Sequence, residues 1–242
     1  MSLLARLMRR RAQAAEGMAP DEPLVVVGDI HGRDDLLDMM LARLLPSDAR
    51  IVFVGDYVDR GAGSAAVLQC LHDLCAARAG TVCLKGNHEV MLLRFLAAPE
   101  DNAAWLTYGG LETIHSFGIA GQGAAPSVLA EALRAAMGAE LIDWMSGLPR
   151  LFQSGNVAVS HAGADPTRAI RDQSDDALIW GQRGYGRMQR SDGIWVVHGH
   201  VIVPRVSAQM GHINVDTGAY KTGRLSAVMV RAGAFDVVET RG

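Results

Sequence analysis

The sequence has few aromatic residues, few cysteines, no excess of basic charge and no long apolar run. Phe, Tyr and Trp make up 5% of 242 residues, whereas 27 are Gly. That balance suits many tight turns and gives no stacking platform for single-stranded nucleic acid. Lys and Arg number 23 against 26 Asp and Glu, a net charge of −3. A partner bound by bulk positive charge, such as nucleic acid, is not expected. Cys70, Cys75 and Cys83 are odd in number and lack the spacing of a zinc knuckle or a C-x-x-C pair. They read as core thiols in a reducing cytoplasm. No apolar run reaches the roughly 18 residues of a membrane span. Arg6, Arg9, Arg10 and Arg11 are not followed by an apolar stretch and cleavage site, so neither a secretory signal nor stable membrane association is expected. The expected location is cytoplasmic.

What is present is enough apolar sequence, 49% of the chain, to bury a sizeable core. Leu24 to Val27, Ile51 to Val54 and Thr81 to Leu84 are short apolar runs that read as buried strands. Between them, Leu36, Leu37, Met40, Leu41 and Leu44, then Val67, Leu68, Leu71, Leu74 and Cys75, recur at helical spacing. This alternation is the βαβ pattern of a parallel sheet. A third helix is expected after Glu89. Residues 101–150 read as mostly helical, with a loop from Gly118 to Pro126. Short strands follow at Val157 to Ser160, Ile194 to Val197, Ile213 to Val215, Ser226 to Val230 and Phe235 to Val238, where antiparallel pairing is expected. The expected organisation is a solvated, partly helical N-terminal arm over 1–20 and one α/β domain over 21–242. Within that domain lies a helical insertion at about 90–150.

The polar residues cluster where the strands end. The first strand delivers Gly28-Asp29-Ile30-His31-Gly32, the second Gly55-Asp56-Tyr57-Val58-Asp59-Arg60-Gly61, and the third Gly86-Asn87-His88-Glu89. Later strands add His161 and His200. Ligands of open α/β sheets bind at the carboxyl ends of strands. Asp, Asn and His supply oxygen and nitrogen donors without thiolate, which suits manganese, iron or zinc. Two such ions can hold a bridging hydroxide and clamp both ends of an in-line displacement. Arg60 offers a planar fork for phosphate oxygens. No G-x-S-x-G elbow or cysteine-based loop supplies a protein nucleophile. Together these features point to phosphoester hydrolysis. Asn87 and His88, being adjacent, point different ways on what reads as an irregular turn.

At these residues the chain resembles the PPP family of metallophosphoesterases, within the calcineurin-like superfamily. The signatures are GDIHG, GDYVDRG and GNHE, then Ser160-His161-Ala162-Gly163 and Gly199-His200, in the family's order. Stretches such as Trp105 to Gly110, and Ile179-Trp180 followed by Arg183, look like the small bacterial and phage serine/threonine protein phosphatases. The resemblance implies a calcineurin-like fold, a central mixed β-sandwich flanked by helices. It implies two divalent metal ions, with Mn²⁺ the first choice and Fe or Zn²⁺ as alternatives. Asp29, His31 and Asp56 would hold the first. Asp56 would bridge to the second, completed by Asn87, His161 and His200, the last chosen over His198. His88 would donate a proton to the leaving alkoxide, and Asp59 would orient and charge that imidazole. Arg60 and Arg183, with Arg187 as the alternative to the latter, would bind phosphate together with Asn87. A hydroxide bridging the metals would attack phosphorus directly. Lys85 stands where many relatives carry arginine, and the SAPNYC-like segment of eukaryotic relatives is absent.

The expected activity is hydrolysis of phosphoserine and phosphothreonine in proteins. The alternative is hydrolysis of diadenosine tetraphosphate or another small phosphorylated molecule. Symmetrical dinucleotide hydrolases resemble this chain in metal ligands but typically carry Ala in place of Asp59 and Asp in place of Glu89. A catalytically dead interaction module is disfavoured, because all six metal-ligand positions are filled.

Overall fold

The structure, a computed structural model, describes residues 13–121, 123–182 and 188–242. Its frame is two facing mixed sheets. The first has the spatial order β1 (Gln13–Ala14), β11 (Ala234–Arg241), β10 (Arg224–Arg231), β2 (Leu24–Val27), β3 (Arg50–Phe53), β4 (Val82–Cys83). The second runs β5 (Leu151–Ser154), β6 (Val157–Ser160), β7 (Trp195–His198), β9 (His212–Asn214), β8 (Ser207–Gln209). β2, β3 and β4 pair in parallel, as do β6 and β7, while β10 runs antiparallel to β2.

β2 is apolar and buried at every position because both of its faces are covered. Along β2, Leu24 and Val26 face the other sheet and pack with Val157, Val159 and Val197. Val25 and Val27 face the opposite way, into a core shared with the crossover helices α1 (Asp34–Leu44) and α2 (Ser64–Ala77). The side-chain alternation of a strand thus feeds two separate cores. A smaller cluster, including Ala158, Leu178 and Val196, covers the outer face of the second sheet.

The helical insertion comprises α3 (Asn87–Ala97), a 3₁₀ turn (Ala103–Tyr108), α4 (Gly110–Ser116) and α5 (Pro126–Gly147). α5 is two helices joined at Gly138, whose φ of 74° breaks the helical path. Two short helices, α6 (Asp175–Trp180) and α7 (Ala219–Thr222), lie in the second half of the chain. Among the described residues no helix is long and apolar enough to cross a membrane.

Three local expectations change. α3 begins at Asn87, so Asn87, His88 and Glu89 sit on its first turn rather than on an irregular turn before a helix. The helix start is hidden because Gly86 is the N-cap and Glu89, three residues on, accepts its backbone N–H, the carboxylate half of a capping box. β5 and β8 are strands that hydrophobic patterning did not mark, since their positions are mixed in burial. Residues 13–20, expected in the solvated arm, join the sandwich. Gln13–Ala14 pairs with β11, and Ala15 and Met18 are buried between the sheets. The arginine-rich stretch over 1–12 lies outside the described residues.

Candidate metal centre and acid pair

All the parallel strands that carry motifs end at one edge. Asp29 and His31 follow β2, Asp56 follows β3 and Asn87 follows β4. His161 and His200 follow β6 and β7. The chain turns sharply there. His31, Asp56, Asp59, Arg60 and His200 all adopt left-handed backbone conformations, with φ between 48° and 71°. Such conformations are costly for residues with a Cβ and persist where the surroundings over-determine them. Glu89 is part of that determination. Its buried carboxylate accepts the backbone N–H groups of Asp56, Tyr57 and Gly86 at 2.8–2.9 Å. Burial pushes its pKa up to about 7. Glycine supplies room as well: a Cβ on Gly86 would overlap Asp56 Oδ1, and one on Gly199 would overlap Asp29 Oδ1.

Asp56 sits at the centre. His31, Asp56 and His88 form one group with donor atoms within 4.8 Å of one another, and Asp56, His161 and His200 form a second. His31 Nε2 lies 3.5 Å from Asp56 Oδ2, and His161 Nε2 lies 3.3 Å from Oδ1. Asn87 Oδ1 is 2.9 Å from His161 Nε2 and 3.0 Å from His200 Nδ1. The Nδ1 atoms of His31 and His161 face the carbonyls of Val58 and Val54 at 2.7 and 3.2 Å. That contact fixes the ring and aims Nε2 inward, the usual arrangement for a metal-ligating imidazole. Asp29 is near enough to Asp56 to feel its charge, but its carboxylate accepts the His200 backbone N–H, at 3.0 Å through Oδ2.

The electrostatics fit cation binding. Burial, Asp216 and Asp56 together drive the Asp29 carboxyl well above its ordinary range. Burial holds His31 down to about 3 and His161 to about 4, so both rings are neutral near pH 7 with a lone pair to give. Asp56 resists burial because His161, His88 and His31 favour its charged form, and its pKa is lowered. Carboxylates crowded with neutral imidazoles and an amide oxygen, with no thiol among them, make a donor set for hard or borderline divalent ions.

Beside this cradle lies a His–Asp pair, a candidate acid. His88 Nδ1 is 2.6 Å from Asp59 Oδ2. Asp59 is fully buried. It accepts hydrogen bonds from Trp105 Nε1 at 2.8 Å and Thr113 Oγ1 at 2.7 Å. Its backbone N–H donates to Ser64 Oγ and Thr113 Oγ1. Burial lowers the pKa of His88, but Asp56 and Asp59 outweigh it, and the net shift is upward. Arg60 completes this end: its terminal nitrogens lie 3.3 Å from His31 Nε2 and 3.1 Å from His88 Nε2.

The structure therefore brings together Asp29, His31, Asp56, Asp59, Arg60, Asn87, His88, His161 and His200. Arg183 and its alternative Arg187 lie outside the described residues. His198 stays out of the cradle, with Nδ1 3.0 Å from Gly199 O and its ring stacked on His212. Lys85 turns away from the site and donates to Ser146 O at 2.6 Å. Sequence reading did not find the Thr113 and Trp105 donors, nor Asp216 beside Asp29. The only available signals were the Trp105 to Gly110 and Asp216-Thr217-Gly218 stretches, which carry no role by composition.

Strand-end carboxylates and imidazoles around a shared Asp, with a buffered imidazole and a guanidinium alongside, define a metal-dependent phosphoesterase. The chain belongs to the calcineurin-like phosphoesterase family, whose model matches residues 22–204. It is a phosphoesterase by family. A serine/threonine-protein phosphatase 2 of Escherichia coli (strain K12) is 27% identical over 220 residues, 85% of this chain and 92% of that protein. A symmetrical bis(5'-nucleosyl)-tetraphosphatase of Pseudomonas fluorescens (strain SBW25) is 32% identical over 149 residues, 60% of this chain and 44% of that protein. Among solved structures, one whose assignment as a diadenosine tetraphosphatase is itself provisional superposes with a TM-score of 0.67. It has 23% identity and covers 95% of this chain and 99% of that one. At that identity the likeness speaks for the fold.

Proposed function

We propose that this phosphatase hydrolyses phosphomonoesters of aliphatic alcohols, phosphoserine and phosphothreonine in proteins. The observation that carries this reading is the His88–Asp59 pair, at 2.6 Å and held by Trp105 and Thr113. An alkoxide is a poor leaving group and needs a proton as the P–O bond breaks. A nucleotide phosphate leaving from an anhydride needs far less. An imidazole buried beside a hydrogen-bonded carboxyl partner is worth building for the first substrate and gains little with the second.

Asp29, His31, Asp56, Asn87, His161 and His200 would hold two divalent ions, Mn²⁺ in the first instance, with Asp56 common to both candidate donor groups. When bound, the metals supply a water-derived nucleophile and neutralise phosphoryl charge. The chain's own residues do the rest. Arg60 presents its fork to the phosphoryl oxygens. His88 Nε2 delivers the proton to the leaving oxygen, and Asp59 holds the ring through Nδ1 and stabilises its charged form. Glu89 fixes the loop that carries Asp56.

Dinucleotide hydrolysis is the second reading, favoured by the Pseudomonas relative. A comparison of kcat/KM for a phosphothreonine peptide and for diadenosine tetraphosphate on Mn²⁺-loaded enzyme separates the two. A peptide preference of about a hundredfold, some 2.7 kcal/mol of transition-state binding, is expected. A dinucleotide preference of that size would overturn the proposal while leaving the metal centre intact.

A further inference from the structure

Arg60 is the one described guanidinium at the acid end, and its side chain is held by something other than a carboxylate. The Tyr220 ring lies under it, with the guanidinium carbon 4.6 Å from the ring centroid. The same ring meets His31 edge-on at 5.2 Å, and His31 meets His88 edge-on at 4.6 Å. Arg60 is therefore enclosed by three rings. Two present nitrogen to its N–H edge and the third presents a π face to its plane.

We propose that Tyr220 is a positioning residue for phosphate recognition, its ring fixing the plane in which the Arg60 fork meets a phosphoryl group. The inference rests on the phosphatase reading and goes beyond it by assigning a role to a residue in none of the motifs. A guanidinium binds phosphate through two parallel N–H groups, so the orientation of its plane decides whether both engage. A long side chain left free would pay rotamer entropy to adopt that plane. The cation–π contact meets that cost in advance.

The support under each partner is rigid. The Arg60 backbone has a φ of 70°, and its N–H donates to Gly109 O at 3.2 Å. Tyr220 sits on α7, which is bounded by Gly218 and Gly223, both left-handed. The Gly218 N–H donates to Asp216 Oδ1, Thr222 Oγ1 donates to Thr217 O, and Arg33 donates to Ala219 O. The half-buried Tyr220 ring is thus delivered from a turn remote in sequence from the Arg60 loop.

The test compares Tyr220→Leu, Tyr220→Phe, Arg60→Ala and the Arg60→Ala/Tyr220→Leu double variant. Calorimetry measures binding of inorganic phosphate to metal-loaded protein, and p-nitrophenyl phosphate gives KM and kcat. Tyr220→Leu is expected to weaken phosphate binding and raise KM about fivefold with kcat changed less than about twofold. Tyr220→Phe, which keeps the π face, should restore both. In the Arg60→Ala background the Leu substitution should add nothing. Unchanged phosphate binding in Tyr220→Leu, or an equal loss in the Arg60→Ala background, overturns the assignment. So does lowered metal affinity with normal phosphate binding at metal saturation, since the ring would then act through His31. Wild-type protein that binds no phosphate and cleaves no p-nitrophenyl phosphate overturns the phosphatase reading itself.

Discussion

The two ends of the site are built by different means. The metal cradle is made by backbone: strand ends, left-handed residues, and glycines whose missing Cβ atoms let Asp29 and Asp56 approach. Its residues lie in short contiguous motifs. The acid end is made by side chains from a distance. Asp59 is 46 residues from Trp105 and 54 from Thr113, and both donors come from the helical insertion. A cradle of backbone geometry tolerates little change. An acid held by several hydrogen bonds should degrade by steps.

The cradle should break first and furthest. Asp56→Asn keeps the shape, including an oxygen for the His88 backbone N–H, now 3.1 Å from Oδ1, but removes the central charge. Activity on every phosphoester is expected to fall below detection, with metal uptake by calorimetry reduced and the thermal transition retained. Near-normal turnover would mean that Asp56 is not the shared ligand.

His88→Asn tests the other end. A loss of about 10²–10⁴-fold is expected on a phosphoserine peptide, the usual contribution of a positioned acid. On p-nitrophenyl phosphate, whose leaving group needs little protonation, the loss should shrink markedly, and metal binding should stay intact. The pH dependence has a definite sign. His88 titrates above its ordinary 6.5 because Asp56 and Asp59 outweigh its burial. It acts as an acid only when protonated, so turnover of the peptide should fall as pH rises through the His88 pKa of the metal-loaded enzyme. The alkaline decline should be weaker for p-nitrophenyl phosphate and absent in the variant. Parallel profiles for the two substrates would remove His88 from the acid role.

The stepwise character appears in Asp59's supports. Thr113→Val, which keeps volume, and Trp105→Phe, which keeps an aromatic ring but leaves a small cavity, each delete one donor to a buried carboxylate. Each is expected to cost about tenfold in kcat on the peptide, less on p-nitrophenyl phosphate, and roughly 1–2 kcal/mol in stability. Equal losses on both substrates would show that the insertion holds the whole loop rather than the acid.

The same division explains what the sequence disclosed. The residues of the cradle can be read from sequence because each proposed ligand lies within a few residues of a strand whose apolar run marks its end, as Leu24–Val27 does shortly before Asp29. Asn87 and His88 were placed in the right region but on the wrong local structure, since Gly86 gives no side-chain cap to announce α3. Thr113 lies in a short helix whose residue pattern gives no pointer to Asp59. Tyr220 follows a turn that reads as punctuation. Contacts across dozens of residues depend on how the insertion folds back, and no local period encodes that. The buried positions of Ala15 and Met18 were missed for the same reason, because their partner strand is at the other end of the chain.

The smallest expected effect concerns the tether between the two ends. Lys85 lies between β4 and the Asn87 turn, yet its ammonium reaches the insertion and donates to Ser146 O, while its backbone N–H donates to Pro149 O at 2.8 Å. Burial lowers its pKa, so the charge itself is held at some cost. Lys85→Met keeps the apolar stem and the backbone bond and loses only the ammonium contact. A destabilisation of about 1 kcal/mol is expected, a drop of some 2–4 °C in Tm for a chain of this size. Activity per folded molecule should change little on either substrate, because the lost contact anchors the far end of α5 and not Trp105 or Thr113. A large loss confined to the phosphopeptide would instead show that the insertion transmits its position to Asp59 as one body, and the separation drawn between backbone-built cradle and remotely supported acid would move to include β4.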